Sequence, residues 1–241
     1  MRPAPSLYLT GTARIGGARI FGPLSLIAEA GQWTCVLGSS GVGKSTALRI
    51  LAGLDQDITL DGEAGAGDGL PLAGRVALMA QSDLLMPWLD VTGNVTLGAR
   101  LRGEAVDLER ARAVLLRVGL GEHLHKRPPE LSGGQRQRVA LARTLMEDRP
   151  VVLLDEPFSA LDARTRADMQ DLAAELLQGR TVLHVTHDAA EAARLGQRIL
   201  LMTEAGVDEI APPAAPVPRA FDAGETLAFQ ASLLRRLMVT Q

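Results

Sequence analysis

A single cysteine, Cys35, occurs in 241 residues. No internal disulfide can form, so a reducing compartment such as the cytosol is the expected home, and Cys35 itself is expected in the core. An excess of charge of one sign is also missing: 25 Lys and Arg against 28 Asp and Glu leave a net charge of −3. That balance gives no electrostatic reason to expect a nucleic-acid or anionic-lipid surface. No run of about 18 uncharged apolar residues is present, and the N-terminus lacks a basic segment followed by a compact apolar stretch. The chain is therefore expected neither to span nor to cross a membrane unaided. Internal repeats of solenoid length are absent too. What remains is a hydrophobic content of 46%, ample for the core of one large domain, or of one domain with a smaller lobe.

Local patterning places elements along this chain. Leu7 to about Leu37 is rich in apolar residues and glycine, with turn signals at Gly16-Gly17 and Gly22-Pro23, and predicts strands joined by one or two hairpins. Buried strands are predicted at Thr34–Leu37, Val151–Leu154 and Thr181–Val185, and a helix over Lys44–Leu54. Strands alternating with helices imply a parallel sheet. Between about 82 and 127 the period changes to helical, with Leu108, Ala111, Leu115, Val118 and Leu120 separated by Glu109, Arg110, Arg112 and Arg117. A helical lobe is expected there. Gly62 to Gly69 reads as a mobile hairpin loop, and a Pro-rich connector from about residue 211 leads to an amphipathic helix over Glu225–Met238.

Gly38-Ser39-Ser40-Gly41-Val42-Gly43-Lys44-Ser45 matches the phosphate-binding P-loop in full and stands between a predicted strand and a predicted helix, as that mechanism requires. The glycines let the backbone curl so that N–H groups and the helix N-terminus face a nucleotide's phosphates. Lys44 would reach the β- and γ-phosphates, Ser45 would ligate Mg²⁺, and Thr46 would touch the α-phosphate. The loop alone implies only nucleotide binding, because kinases, GTPases, helicases and transporters share it. At the exit of the second buried strand, Asp155 and Glu156 can divide labour: Asp155 on Mg²⁺, Glu156 on the water that attacks the γ-phosphorus.

Leu131-Ser132-Gly133-Gly134-Gln135, continuing through Arg136-Gln137-Arg138, resembles the signature of the ATP-binding cassette (ABC) ATPases. Physically, Ser132 and the two glycines open a helix and form a second anion site, whereas Arg136 and Arg138 as individuals read as a solvated helix face. The resemblance covers nearly the whole chain. It implies a single ABC ATPase domain over 1–241 of α/β class: a P-loop NTPase core with a mainly parallel sheet, an N-terminal antiparallel β region and a helical subdomain. It implies ATP and Mg²⁺ as cofactors, and an ATP-dependent homodimer in which Ser132, Gly133, Gly134 and Gln135 of each copy close on the nucleotide of the other. It also implies Gln81 as a sensor of Mg²⁺ and the attacking water, Asp162 at the dimer interface and His187 on the γ-phosphate.

Two features refine that expectation. In this family an aromatic residue stacks on adenine, yet the matching position falls near Arg14 or Ile15; Ile15 packing or an Arg14 cation–π contact would have to replace it. After Gln81, the stretch Leu84-Leu85-Met86-Pro87-Trp88-Leu89 is similar to importers of nitrate, aliphatic sulfonates, taurine and thiamine precursors. Its bulky apolar side chains suit either a groove for a helix of a membrane subunit or the core of the helical lobe. The implied protein is the ATP-hydrolysing subunit of an importer, peripheral on the cytoplasmic face of the inner membrane. Its partners would be transmembrane permease subunits and, indirectly, a periplasmic solute-binding protein, with no nucleic acid. The alternatives are the ATPase of a small exporter or lipoprotein-release system, and a non-transport ABC ATPase of nucleic-acid repair or translation.

Overall fold

The computed structural model describes residues 3–239. The chain divides into two compact units, one formed by residues up to Val76 with 149–155 and 178 onward, the other by 77–148 and 156–177.

The first unit holds two sheets. In the smaller, β1 (Leu7–Ile15), β2 (Ala18–Ala28) and β4 (Ile58–Ala66) pair antiparallel in the order β2-β1-β4. Leu7, Leu9, Leu26 and Ala28 alternate inward along these strands, the period-2 pattern of a sheet with one buried face. The expectation of a loop over Gly62–Gly69 is corrected here, since β4 continues through Ala66. Gly62 lies opposite Gly11, where the two backbones approach so closely that a Cβ on Gly62 would fall 2.0 Å from the carbonyl oxygen of Thr10. Glycine in this stretch permits a tight strand pairing rather than a flexible loop.

The second sheet contains β3 (Trp33–Leu37), β6 (Val151–Asp155), β7 (Thr181–Thr186) and β8 (Arg198–Thr203), which run parallel in the order β6-β7-β3-β8, with β9 (Gly206–Ile210) antiparallel at the edge. Every residue of β3, β6 and β7 is buried, which explains their continuous apolar character. Register levels the strand ends: Leu37 pairs with Thr186, and Asp155 pairs with Val185. The carboxyl ends of the three strands therefore form one edge, the edge at which parallel α/β sheets bind ligands. Helix α1 (Lys44–Leu51) buries Ala47, Leu48, Ile50 and Leu51. It ends three residues earlier than its pattern predicts, because Gly53 adopts φ +70° and the N–H of Leu54 returns to the carbonyl of Arg49. The connector after β9 is clasped by the buried Arg219, whose guanidinium donates to the carbonyls of Ala193, Gly196 and Pro213.

The short strand β5 (Val76–Met79) leads into the second unit, which is otherwise helical, with α2 (Val91–Val95), α3 (Leu97–Leu101), α4 (Leu108–Arg117), α5 (Gly133–Met146) and α6 (Ala163–Leu176). It extends on both sides of the lobe expected over 82–127. Ala111, Leu115 and Val118 are fully buried as their period requires, and so is Leu120 beyond the helix, whereas Leu108, at the first position of α4 after its cap Asp107, is 56% exposed. The arginines of α5 are ties rather than a solvated face. Arg136 pairs with Asp83 and donates to the carbonyl of Leu131, and Arg138 donates to the carbonyls of Val118 and Gly119. Arg143 donates to the carbonyls of Asp83 and Leu84. In the first unit α7 (Ala189–Leu195) lies between β7 and β8, and α8 (Gly224–Val239) follows the connector and spans the predicted amphipathic helix.

Candidate functional site: a phosphate loop and an acidic strand end

Residues 38–45 leave β3 and wrap into the N-terminus of α1. Gly43, the residue before the helix, sits at φ +99°, and a Cβ there would lie 2.7 Å from the ring of Phe21. Both the left-handed backbone and the pressing ring exclude larger residues. Having no side chain, Gly43 caps nothing, so the first-turn N–H groups of α1 are left to an anion, with the positive end of the helix dipole behind them. Lys44 is buried, and its Nζ donates to the carbonyls of Gly38 (2.8 Å) and Ser39 (2.7 Å). The ammonium is thus held across the mouth of the loop, where negative charge would be received. Ser40 and Gly41 are exposed, Ser39 and Thr46 are half-buried, and Val42 is buried beneath the loop.

Ser45 Oγ donates to Asp155 Oδ1 at 3.1 Å, so the loop and the end of β6 bring two hard oxygens together. No group of three or more His, Cys, Asp or Glu among the described residues could cage a metal. A serine and one carboxylate suit Mg²⁺ bound to phosphate, because that ion takes its remaining ligands from phosphate oxygens and water. His187 follows β7 and is exposed at the same strand edge. Ile15 ends β1, half-exposed, opposite Ala18 and Ile58, while Arg14 is exposed and donates to the carbonyl of Gly17. Phe21 is buried against the loop, so it offers no free ring face to a base.

The second unit carries the remaining predicted residues. Glu156 adopts φ +48°, a left-handed conformation costing about 1–2 kcal/mol for a residue with a side chain. Its surroundings hold it there: the carbonyl of Glu156 accepts from Gln137 Nε2 and from Ser159 Oγ, both at 3.1 Å, and the Gln137 Oε1 accepts from the N–H of Ala160 at 2.8 Å. Gln137 had no assigned role in the sequence pattern, although it lies inside the signature stretch. Gln81 Nε2 donates to Glu156 Oε2 at 3.1 Å, which brings together two of the predicted residues. Gln81, Asp83, Gly133, Arg136 and Gln137 line a pocket of about 290 Å³ in this unit.

Ser132 and Gln135 form a reciprocal capping box at the start of α5: Ser132 Oγ accepts from the N–H of Gln135, and Gln135 Oε1 accepts from the N–H of Ser132. Gly134 is packed against the carbonyl of Ala160 and the side chain of Leu161. Gly133 is different, because a Cβ there would meet nothing closer than Arg136 at 3.9 Å. Asp162 caps α6 by accepting from the N–H of Thr165, and that bond holds its carboxyl below the usual carboxylate range.

The apolar stretch before α2 is neither all groove nor all core. Leu85 is buried, but Trp88 is 67% exposed, and Leu84 is 58% exposed at φ +47°. Asn94, fully buried, shapes this segment. Its amide donates to the carbonyls of Met86, Leu89 and Asp90 and accepts from the N–H of Met86.

A strand, a glycine-rich phosphate loop and a helix, with an aspartate at the end of a neighbouring parallel strand, define a P-loop nucleoside triphosphatase. A model of the ABC transporter family matches residues 21–159, more than half of the chain. An uncharacterized ABC transporter ATP-binding protein of Haemophilus influenzae is 42% identical over 228 residues, covering 92% of this chain and 93% of that one. The aliphatic sulfonates import ATP-binding protein SsuB 1 of Rhodococcus jostii is 49% identical over 186 residues, covering 76% of this chain and 73% of its own. Among solved structures, a dimeric bacterial ABC transporter cassette aligns with a TM-score of 0.76 and 29% identity, over 87% of this chain and 100% of that one. The chain belongs to the ABC transporter family.

Proposed function

We infer that the chain is the ATP-hydrolysing subunit of an importer and powers uptake of a small solute through separate membrane subunits. The observation that carries this reading is the level strand edge, where the Gly38–Ser45 loop, the Ser45–Asp155 pair and His187 follow adjacent parallel strands. The phosphates of ATP would accept from the loop and first-turn N–H groups, with Lys44 exchanging the Gly38 and Ser39 carbonyls for β- and γ-phosphate oxygens. Ser45 and Asp155 would hold Mg²⁺, with Gln81 sensing it. When bound, the ion neutralises charge developing on the phosphate oxygens. Glu156 accepts a proton from the water whose oxygen attacks the γ-phosphorus, as the bond to the ADP oxygen breaks and phosphate leaves. His187 orients the γ-phosphate.

Two copies of the chain would act together, head to tail. Gly133 supports this, since no neighbour among the described residues requires glycine there, whereas close approach by a nucleotide held on a second copy would. The exposed Trp88 and Leu84 provide an apolar surface suited to a helix of a transmembrane permease subunit. The assembly would sit with this chain peripheral on the cytoplasmic face of the inner membrane, fed by a periplasmic solute-binding protein. The sulfonate-importer relatives favour aliphatic sulfonates as the solute.

The test is a pair of variants assayed for ATP binding and phosphate release. Glu156→Gln keeps ATP binding and loses turnover by more than about a hundredfold, and Lys44→Ala loses binding itself. Normal turnover by Glu156→Gln would overturn the assignment.

A further inference from the structure

Beneath the exposed His187 lies a buried polar cluster with no part in the hydrolysis scheme proposed for this chain. Trp33 and Cys35 on β3, His184 and Thr186 on β7, and Glu191 on α7 are all buried, with His184 and Cys35 at 0% exposure. The directions of their hydrogen bonds come from chemistry. An indole N–H can only donate, so Trp33 Nε1, 3.4 Å from His184 Nδ1, makes that nitrogen the acceptor. The ring then carries its proton on Nε2, 3.3 Å from Glu191 Oε2, a close electrostatic contact rather than an aligned hydrogen bond. The same carboxyl oxygen accepts from Thr186 Oγ1 at 2.9 Å, and Thr186 Oγ1 in turn accepts from the N–H of Asp188 at 3.0 Å. Asp188 Oδ1 accepts from the N–H of Ala190.

The residues on either side of His187 are thus anchored to α7, one through Glu191 and the other through the same hydroxyl and the helix cap. Folding alone gives little reason for this arrangement, because a buried polar set is often replaceable by apolar side chains of similar volume without loss of stability. Its geometry does give a reason: it fixes the backbone from which the His187 ring projects. We propose that Glu191, acting through Thr186 and backed by His184, is a positioning residue that sets His187 for phosphate chemistry. This rests on the proposed contact of His187 with the γ-phosphate.

The experiment uses the full-length chain, with kcat and KM for Mg-ATP measured for Thr186→Val, Thr186→Ser, Glu191→Ala and Glu191→Gln, each alone and with His187→Ala. Thr186→Val preserves shape while removing the hydroxyl, so it carries the test even where Glu191→Ala melts early. Thr186→Val and Glu191→Ala are expected to lower kcat about tenfold or more while KM stays within about twofold. Thr186→Ser and Glu191→Gln, which keep a hydroxyl and an acceptor oxygen, restore most of the rate. In the His187→Ala background neither Thr186→Val nor Glu191→Ala costs anything further, because the group they position is gone. Losses that add to that of His187→Ala, or full kcat in Thr186→Val, would overturn the positioning role alone. Full kcat in His187→Ala would overturn the role of His187, and the positioning role with it.

Discussion

Replacing Gln137 with alanine tests the link between a structural tie and hydrolysis. Gln137 is buried in α5, and its amide holds the turn that begins at Glu156: Nε2 donates to the Glu156 carbonyl, and Oε1 accepts from the N–H of Ala160. The Glu156 carbonyl keeps a second donor in Ser159 Oγ, but the bond from the Ala160 N–H to this side chain disappears. At about 1 kcal/mol for each bond lost, the variant should be destabilised by about 2 kcal/mol. For a chain of this size that is a fall in Tm of about 4–8 °C. The functional effect should exceed the stability effect, because the positive φ of Glu156 is held by these bonds. Steady-state phosphate release should therefore drop at least about thirtyfold in kcat, the rate equivalent of about 2 kcal/mol, with ATP binding to the Lys44 loop little changed. Gln137→Glu sharpens the test. Its carboxylate can still accept from Ala160 but presents an oxygen to the Glu156 carbonyl, so it should turn over no faster than Gln137→Ala. Wild-type kcat in Gln137→Ala, or Gln137→Glu outperforming it, would refute this account.

Gly43→Ala places a methyl 2.7 Å from the Phe21 ring at φ +99°, and equilibrium titration should show ATP affinity weakened at least tenfold. Asn94→Ala leaves a buried site without its ties to Met86, Leu89 and Asp90, and thermal melting should report a loss of about 2–3 kcal/mol. Glu209 accepts two bonds from Arg198, and this hydrogen bonding holds its carboxyl below the ordinary value of 4.5. A depressed folded-state pKa stabilises above the unfolded value and is lost as pH falls through the folded one. Glu209→Gln should therefore lower Tm slightly at neutral pH, and the difference from wild type should vanish on titrating well below 4.5.

Local chemistry made much of the molecule legible in advance. The Gly38–Ser45 loop, the Asp155-Glu156 pair and the helix start at Ser132 each consist of neighbours in sequence, since curling a backbone or opening a helix is done by adjacent residues. The buried strands were visible for the same reason, as short continuous apolar runs. Patterns misled where one residue type serves two purposes. The stretch Gly62–Gly69 looked like a loop but its glycines permit close strand pairing with β1 through Ala66, and Arg136 and Arg138 looked solvated but tie Asp83 and the carbonyls of Leu131, Val118 and Gly119.

The sequence by itself determined the class of protein, through motifs whose parts are covalently close, and it offered the residues proposed to act on ATP. Only the tertiary structure decided which distant residues meet: Ser45 with Asp155 across 110 positions, Gln81 with Glu156 across 75, and Trp33 with His184 across 151. Such pairs leave no local signature. They depend on strand order and register, which bring chemically complementary groups within hydrogen-bond distance only after the sheet and its helices have assembled.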